Sequence, residues 1–370
     1  MRISHGKLTR IAGMLGFAAA AALPWLLAPA AQPAAPAGAR DFEQPLPAAE
    51  PVAARVTKDD GRHTGEGAVT HRTGVVAAPA RFDAVGLARE LRPLEIRARD
   101  AGGNWGDWAE IANGDPAWFG GADELQLRTR GYRPLGKLHY VDVPAPADVA
   151  ARTPPEPDFT SRTAWGANLA SGGCPPRETA SYGRVKATVF HHTVGSNKYT
   201  EKQAPGVVLA ICRYHRNALG WNDIGYNALV DRFGNVYAGR AGGLNKAVVG
   251  AQAQGVNAQT SGVAVMGTHT KKGVTVATFR GLVRWLAWKL VQHGHTTKGR
   301  PLMVSAGGAS SRYGAGDEFR MPRIAGHRRT NLTECPGDAL ALQRKRLLQR
   351  VQARIDRYGK QDPGGGIGGP

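Results

Sequence analysis

The sequence has few cysteines, few acidic residues and no long uninterrupted apolar run. Only three cysteines occur among 370 residues, and an odd number cannot all pair with one another in an oxidising compartment. The 29 acidic residues are outnumbered by 48 lysines and arginines, which gives a formal net charge of +19. This balance favours polyanionic surroundings, which include nucleic acid, anionic lipid and cell walls that bear carboxylates and phosphates.

The apolar segment at the N-terminus is interrupted too early for a membrane-spanning helix. Three basic residues among the first ten precede an uncharged run over residues 11–39 that is rich in alanine, leucine and glycine. Pro24 and the prolines after it leave fewer than the ~20 apolar residues that a spanning helix needs. A basic start, a short apolar segment and the small residues 28–30 predict a secretory signal peptide over residues 1–30, with an uncleaved anchor as the alternative.

Export argues against nucleic acid as a partner, and removal of the signal peptide argues against stable membrane insertion. No twin-arginine pair precedes the apolar segment, so the general secretion route is the simpler expectation. We therefore expect a secreted, wall-associated protein whose positive charge attracts anionic cell-wall polymers. A basic protein that binds DNA or lipid would explain the charge and nothing else in the sequence.

Composition divides the middle of the chain into linkers and a small all-β region. Residues 31–74 begin as an Ala/Pro-rich tract, which predicts a linker and an extended segment. Residues 75–147 contain short runs that alternate apolar and charged side chains, separated by turn residues, and these predict a small sandwich-like β module. Residues 148–158 form a second proline-rich linker. A module between two linkers is expected to be dispensable for the activity of the remainder.

The β module holds three of the eight tryptophans, Trp105, Trp108 and Trp118. Exposed aromatic rings stack on sugar faces, whereas buried ones anchor the core of a small sandwich. Because a module of this size needs large apolar side chains in its core, we favour the core role for Trp105 and Trp108.

Residues 159–358 have the mixed pattern of an α/β domain, followed by a glycine-rich tail over residues 359–370. The pattern predicts a central mixed β-sheet flanked by helices. Its predicted strands and helices are a buried strand ending at residue 191, a helix over 205–218, a hairpin over 226–240, a strand over 261–266, and helices over 276–293 and 338–358.

Three separated segments carry residue types suited to metal-assisted chemistry. The strand at residues 189–193 reads Val-Phe-His-His-Thr, residues 221–227 read Trp-Asn-Asp-Ile-Gly-Tyr-Asn, and residues 326–337 run from Gly-His-Arg to Cys-Pro-Gly. Histidine and cysteine are the side chains that zinc prefers, and three protein ligands plus one open position is the catalytic zinc pattern. In this order, over residues 159–358, the segments resemble the peptidoglycan recognition protein family, which includes the phage-lysozyme type of N-acetylmuramoyl-L-alanine amidase.

The resemblance implies a single zinc ion held by His191, His327 and Cys335. It also implies that Tyr226 is the catalytic tyrosine and that Thr333 is the polar residue that assists it. Contacts to the substrate are expected at two further residues, His192 and Asn257. Strand alternation puts His192 on the opposite side from His191, so packing in the interior is the alternative role for His192.

The implied reaction is hydrolysis of the amide between the lactyl group of N-acetylmuramic acid and the L-alanine of the peptidoglycan stem peptide. Family members that have lost the cysteine bind peptidoglycan without cutting it, so Cys335 separates an amidase from a non-catalytic recognition protein. The non-catalytic protein is the alternative function. The sequence identifies no general base, because nothing fixes the direction of Asp223 near Tyr226. His293 and His295 also have the spacing of a metal pair, but they end a predicted helix, where cations are favoured.

If Cys335 is a metal thiolate, Cys174 and Cys212 remain to form a disulfide in an oxidising compartment. Two independent buried thiols are the alternative. Two departures from the family pattern are visible: Gln252 stands where many members have histidine in Gly-Ala-His-Ala, and Ala241 follows Gly-Arg where many animal members have Gly-Trp. Both segments are expected along the substrate groove, so they bear on the preference between diaminopimelate and lysine stem peptides.

Overall fold

The all-β region begins earlier in the chain than the sequence pattern indicated. In this computed structural model, the described residues are 39–52, 69, 71–88, 94–100, 102–111, 116–130, 136–143 and 159–361. The predicted signal peptide and second linker, most of the first linker and the end of the tail lie outside them. The strands of the region are β1 (Arg40–Pro45), β2 (Glu50–Pro51), β3 (His71–Arg72), β4 (Val76–Leu87), β5 (Leu94–Asp100), β6 (Ala109–Ile111), β7 (Ala117–Thr129) and β8 (Lys137–Asp142).

These strands are connected by hydrogen bonds into one eight-stranded sheet. Its order is β1-β8-β4-β7-β3-β2, and β5 pairs with both β6 and β7. Along β5 the apolar residues Leu94, Ile96 and Ala98 are buried and the charged residues between them are half-buried, as a period of two requires. β1 lies within the predicted linker and pairs antiparallel with β8. Phe42 of β1 stacks on Tyr140 of β8, with 5.1 Å between the ring centroids.

The prediction that Trp105 and Trp108 anchor the core is wrong. Both indoles are half-buried on the outer face of the sheet, where the Arg97 guanidinium lies 4.6 Å from the Trp105 ring and 4.8 Å from the Trp108 ring. The core is filled instead by residues of the strands themselves, Phe82 and Leu125 among them. The charged side chains of β5 and β7 therefore draw the indoles to the outside of the sheet by cation–π contacts.

The remaining elements form the mixed α/β domain that the sequence predicted. Its strands are β9 (Ala187–His192), β10 (Ala228–Val230), β11 (Val236–Ala238), β12 (Thr260–Val265), β13 (Leu302–Ala306), β14 (Ala315–Arg320) and β15 (Ile324–Gly326). Its helices are α1 (Ala204–Asn217), α2 (Val276–Gln292), α3 (Asp338–Ala341) and α4 (Arg344–Gln361). The central sheet has the order β11-β10-β12-β9-β15, with β11 antiparallel and the other neighbours parallel.

Helices cover both faces of this sheet. Leu229 and Ala264 belong to the cluster that contains α1, whereas Val230 and Val263 belong to the cluster that contains α2 and α4. Such a layered arrangement explains why the strand residues are apolar on both sides. Two details differ from the sequence pattern: the predicted last helix is divided into α3 and α4, and the hairpin β13–β14 was not predicted.

The parallel pairing of β9 and β15 sets the position of the functional residues. Gly326 at the end of β15 is the register partner of Phe190 in β9. The residues that follow, His327 and His191, therefore meet at the same carboxyl edge of the sheet. Among the described residues, no helix is long and apolar enough to span a membrane.

The all-β region and the α/β domain share apolar cores, and the described residues belong to one compact unit. Trp118 and Val141 from the sheet pack in the same cluster as Val207 and Tyr214 of α1. In the other direction, Val194 from the segment after β9 packs within the core of the all-β sheet.

Candidate metal centre

His191, His327 and Cys335 converge at the carboxyl edge of the central sheet. One ligand atom from each residue lies within 4.8 Å of the others. The imidazole centroids of His191 and His327 are 4.3 Å apart, and the Cys335 sulfur lies 3.6 Å from Nδ1 of His191. The structure thus brings together the three residues that the sequence predicted as metal ligands.

The segment from His327 to Asp338 folds back on itself and so returns Cys335 to His327. It starts with a 3-10 turn over His327–Arg329. The Arg328 amide donates to the Cys335 carbonyl at 2.9 Å, and the Arg328 guanidinium bonds the Asp338 carboxylate at 2.6 Å. These contacts join the two ends of the loop, which is why residues eight apart in sequence can serve one site.

The surroundings favour the ligand forms of these side chains. The backbone N–H of His192 points at the Cys335 sulfur, 3.4 Å away, which stabilises a thiolate. Burial, together with the neighbouring His191 and His192, lowers the pKa of His327 well below its usual range. A neutral imidazole is the form that binds a metal. One buried imidazole, one half-buried imidazole and one buried thiol fit a zinc ion by the chemistry of the donor set.

Tyr226 and Thr333 lie beside the cluster. The Tyr226 ring is buried, and its centroid is 5.1 Å from that of His191. The turn that carries Tyr226 is held by His215, whose Nδ1 accepts from the Gly225 amide at 3.1 Å. Thr333 is half-buried two residues before Cys335, and its hydroxyl oxygen accepts from the Cys335 amide at 3.1 Å. Tyr226 therefore lies beside His191 and Thr333 beside Cys335, as their predicted roles require.

The structure gives His192 and Asn257 partners within the protein. His192 is buried, and its Nδ1 accepts from the His269 amide at 3.2 Å. Burial, with smaller effects of His269, His191 and Arg328, lowers the pKa of His192 to about 3. This is the interior alternative that strand alternation left open. Asn257 accepts from the amides of Gln252 and Ala253 at 2.9 and 2.8 Å. Its side-chain oxygen thereby closes a turn, and the substrate contacts predicted for both residues stay predictions.

Asp223 points away from the cluster. Its carboxylate is buried, lies 3.1 Å from the Arg162 guanidinium and accepts from the Ala241 amide at 2.7 Å. Those contacts leave it a structural acceptor beneath the turn that carries Tyr226. His293 and His295, whose spacing resembles that of a metal pair, have separate contacts at the end of α2. His293 is the C-terminal cap of the helix, and Nε2 of His295 donates to the Val185 carbonyl at 2.9 Å.

Cys174 and Cys212 form a disulfide bond, so the predicted pairing is confirmed. The bond ties the loop before β9 to helix α1. Cys335 is the remaining cysteine, and it is buried in the cluster.

Comparison with known proteins identifies the family. The model of a family described as N-acetylmuramoyl-L-alanine amidase matches residues 181–338. Peptidoglycan-recognition protein SC1a of Drosophila melanogaster is 31% identical over 170 residues, which are 45% of this chain and 76% of that protein. The chain belongs to the peptidoglycan recognition protein and amidase family.

Two further proteins match over a shorter range or at lower identity. N-acetylmuramoyl-L-alanine amidase of Homo sapiens is 33% identical over 128 residues, which are 35% of this chain and 18% of that protein. A solved structure of peptidoglycan recognition protein-LE in complex with tracheal cytotoxin is 24% identical and covers 51% of this chain and 92% of its own, with a TM-score of 0.40.

Sequence reasoning missed the place of Gln252. It was expected along the substrate groove, but the structure buries it at 5% exposure with Oε1 2.6 Å from Nε2 of His191. Its departure from the family pattern was the available signal. A local sequence pattern does not predict the contact between Gln252 and His191, because these residues lie 61 positions apart.

Proposed function

We propose that this family member is a secreted, zinc-dependent N-acetylmuramoyl-L-alanine amidase that acts on peptidoglycan. The observation that carries the proposal is the convergence of His191, His327 and Cys335 beside the buried Tyr226. The names of the recognition protein from Drosophila melanogaster and the amidase from Homo sapiens support the substrate class and the reaction. The complete set of ligands favours an enzyme over a protein that only binds the wall.

The ligands would hold one zinc ion, with His191 and His327 supplying nitrogen and Cys335 supplying sulfur. When bound, zinc supplies a Lewis acid that polarises a carbonyl and brings the pKa of a water molecule to ~7. The thiolate of Cys335 adds negative charge and moderates that acidity. His191 and Cys335 are buried, whereas His327 is half-buried, so the cluster is reached by solvent from the side of His327.

Tyr226 and Thr333 would act on the oxygen of the scissile carbonyl. As the carbonyl carbon becomes tetrahedral, negative charge develops on this oxygen, and a hydroxyl donor stabilises it. Removal of one such donor typically lowers kcat by about 10²–10³-fold. We assign the role of general base to no carboxylate, because Asp223 is committed to Arg162 and to backbone amides.

We further propose that the protein works outside the cytoplasm and is attached to the wall. The predicted signal peptide over residues 1–30 supports export, as does the disulfide between Cys174 and Cys212, since disulfides persist in oxidising compartments. The net charge of +19 supports attraction to anionic wall polymers. We also retain residues 159–358 as the catalytic domain.

The test is release of free stem peptides from purified peptidoglycan by the mature protein. We expect peptides with a new L-alanine amino terminus, lost on zinc chelation and restored by added zinc. Cys335→Ala should abolish release and leave sedimentation with the wall intact, whereas His293→Gln, a histidine outside the cluster, should behave as wild type. Firm sedimentation of the wild type without new amino termini would replace the amidase with a recognition protein.

A further inference from the structure

The Gln252 side chain is a buried link between a metal ligand and the rest of the fold. It lies in the segment between β11 and β12, and its own amide donates to Asn257 Oδ1 at 2.9 Å. Its Oε1 is 2.6 Å from Nε2 of His191, the ring nitrogen that faces away from Cys335. Gln252 therefore contacts His191 without entering the group of converging ligand atoms.

A series of three hydrogen bonds determines which atom donates in the hydrogen bond between Gln252 and His191. The Thr260 hydroxyl donates to the Val256 carbonyl at 2.9 Å, because a carbonyl can only accept. The Thr260 oxygen then accepts from Nε2 of Gln252, also at 2.9 Å. An amide that donates on one side presents its oxygen on the other, so Oε1 of Gln252 accepts the proton of His191 Nε2.

A proton on Nε2 leaves the lone pair of His191 on Nδ1. Nδ1 is the atom that faces the Cys335 sulfur at 3.6 Å, so the lone pair points into the cluster. The fold also reserves space for the glutamine: a Cβ on Gly262 of β12 would lie 2.3 Å from Cγ of Gln252. Glycine at this strand position is thus required by the close approach of the Gln252 side chain.

We propose that Gln252 is a positioning residue that fixes His191 as the Nε2–H tautomer and so prepares the metal site before a metal arrives. The part of this inference that concerns zinc rests on the proposed function, whereas the part that concerns the tautomer does not. Hydrogen-bond partners of metal-binding histidines orient the ring and raise its basicity, and their loss typically weakens metal binding by about 10–100-fold.

The first measurement is the tautomer of His191 in the metal-free full-length protein, read from the imidazole ¹⁵N resonances. Wild type should show the Nε2–H tautomer alone. Gln252→Leu should show a mixture with Nδ1–H, and Gln252→Glu, which keeps an acceptor, should restore Nε2–H. A wild-type protein with His191 mainly as Nδ1–H would overturn the proposal.

The second measurement is zinc affinity by competition with a chromophoric chelator. Gln252→Leu should bind zinc about 10–100-fold more weakly than wild type, and Gln252→Glu should recover most of the loss. Gln254→Leu is the matched control, because Gln254 bonds Ser310 rather than His191. Equal affinities for Gln252→Leu and Gln254→Leu would contradict the proposal.

Thr260→Val is the second variant, for use if Gln252→Leu does not fold. It preserves the size of the buried side chain and removes only the hydroxyl that orients the Gln252 amide. We expect the same tautomer mixture at a smaller amplitude. An unchanged single tautomer in a folded Thr260→Val would count against the orienting chain. If wild type shows the Nε2–H tautomer but binds no zinc, the proposed function fails while the assignment of the tautomer stands.

Discussion

Tyr226 lies beside His191 without contributing one of the converging ligand atoms. Substitution of Tyr226 can therefore change the reaction without removing a metal ligand. For Tyr226→Phe we expect kcat for stem-peptide release to fall about 10²–10³-fold, because one donor to the carbonyl oxygen is removed. Zinc content should stay at one ion per chain. Steady-state kinetics on soluble muropeptides and metal analysis of the same sample check both expectations.

The matched control for this change is Tyr182→Phe. Tyr182 is exposed, and its hydroxyl donates to the Gly242 carbonyl at 3.0 Å. It should leave kcat and zinc content unchanged. Loss of zinc from Tyr226→Phe would instead make Tyr226 a structural residue of the site, and unchanged kcat would remove it from the reaction.

At the scale of residues, the sequence predicted those whose chemistry is restrictive. Few side chain types bind zinc, and the resemblance of the three segments to the family singled out His191, His327 and Cys335, which the structure brings together. The place of His192 depended on which side of β9 is covered by other elements, which a strand pattern does not reveal. Gln252 was harder still, because an amide has many ordinary uses.

At the scale of elements, α2 carries a lysine that burial has made easier to deprotonate. Lys289 is 1% exposed, and its ammonium donates to the Leu244 and Lys246 carbonyls at 2.7 and 2.6 Å. Burial lowers its pKa to about 7, from 10.5 when unburied. Between these values the unfolded chain binds more protons than the folded chain, so stability rises with pH, by up to ~1.4 kcal/mol per pH unit.

Lys289→Met should therefore flatten the rise in the free energy of unfolding between pH 7 and about pH 9, measured by urea denaturation. Lys271→Met, at an exposed position before α2, is the control and should preserve the slope of the wild type. Parallel slopes for wild type and Lys289→Met would show that Lys289 keeps its proton in the folded protein across this range.

We expect the outer face of β5 and β7 to contribute to the wall attachment that we propose. Arg97 and Arg72 share the Gln126 amide oxygen at 2.9 and 3.5 Å, and the described residues give neither a carboxylate partner. Burial, and to a smaller extent the charges of Arg72 and Arg128, lower the pKa of Arg97. Guanidinium groups bind phosphate and carboxylate in pairs of hydrogen bonds.

The double change Arg72→Gln and Arg97→Gln should weaken sedimentation with cell wall roughly tenfold at low salt, with a smaller difference at high salt. The release of stem peptides from soluble substrates should be unchanged. Arg350→Gln with Arg357→Gln on α4 gives a control with the same change in net charge. Equal losses in the two pairs would mean that total charge, rather than this face, governs attachment.

Hydrophobic periodicity predicted α1, α2, β9 and β12 to within a few residues of their observed ends. It did not predict β1, because the strand that holds it, β8, is distant in the chain: Arg40 pairs with Asp142. Local patterns carry no information about such a partner. The hairpin β13–β14 was also not predicted. Most residues of β14 are exposed, and the hairpin contributes only Met303 and Phe319 to an apolar cluster, so its apolar pattern is weak.

At the scale of the whole molecule, the all-β region supports the segment that follows the ligand strand. Sequence reasoning expected this region to be a dispensable module between linkers, whereas its contacts with the segment after β9 lead us to predict the opposite. Val194, directly after His191–His192–Thr193, is buried in the core of the all-β sheet. The Ser196 amide donates to the Trp118 carbonyl at 2.9 Å. Removal of the sheet would expose these contacts and release the carboxyl end of β9.

Gly195 tests this support without deleting a domain. Its φ is +91°, and a Cβ at this position would lie 2.3 Å from the Trp118 amide nitrogen, so Gly195→Ala must push the segment away from the sheet. Gly294→Ala is the matched control, because Gly294 also has a positive φ, +69°, but nothing lies within 4 Å of its added Cβ. Both changes introduce the same kind of backbone strain.

We expect Gly195→Ala to lower the free energy of unfolding by about 1–3 kcal/mol more than Gly294→Ala, as overpacking of a tight contact does. Because the displaced segment continues directly from His191, zinc affinity and stem-peptide release should also fall for Gly195→Ala alone. Chemical denaturation, chelator competition and the release assay measure the three effects. Equal stability and unchanged zinc affinity in the two variants would show that the ligand strand is held by the α/β domain without help from the all-β region.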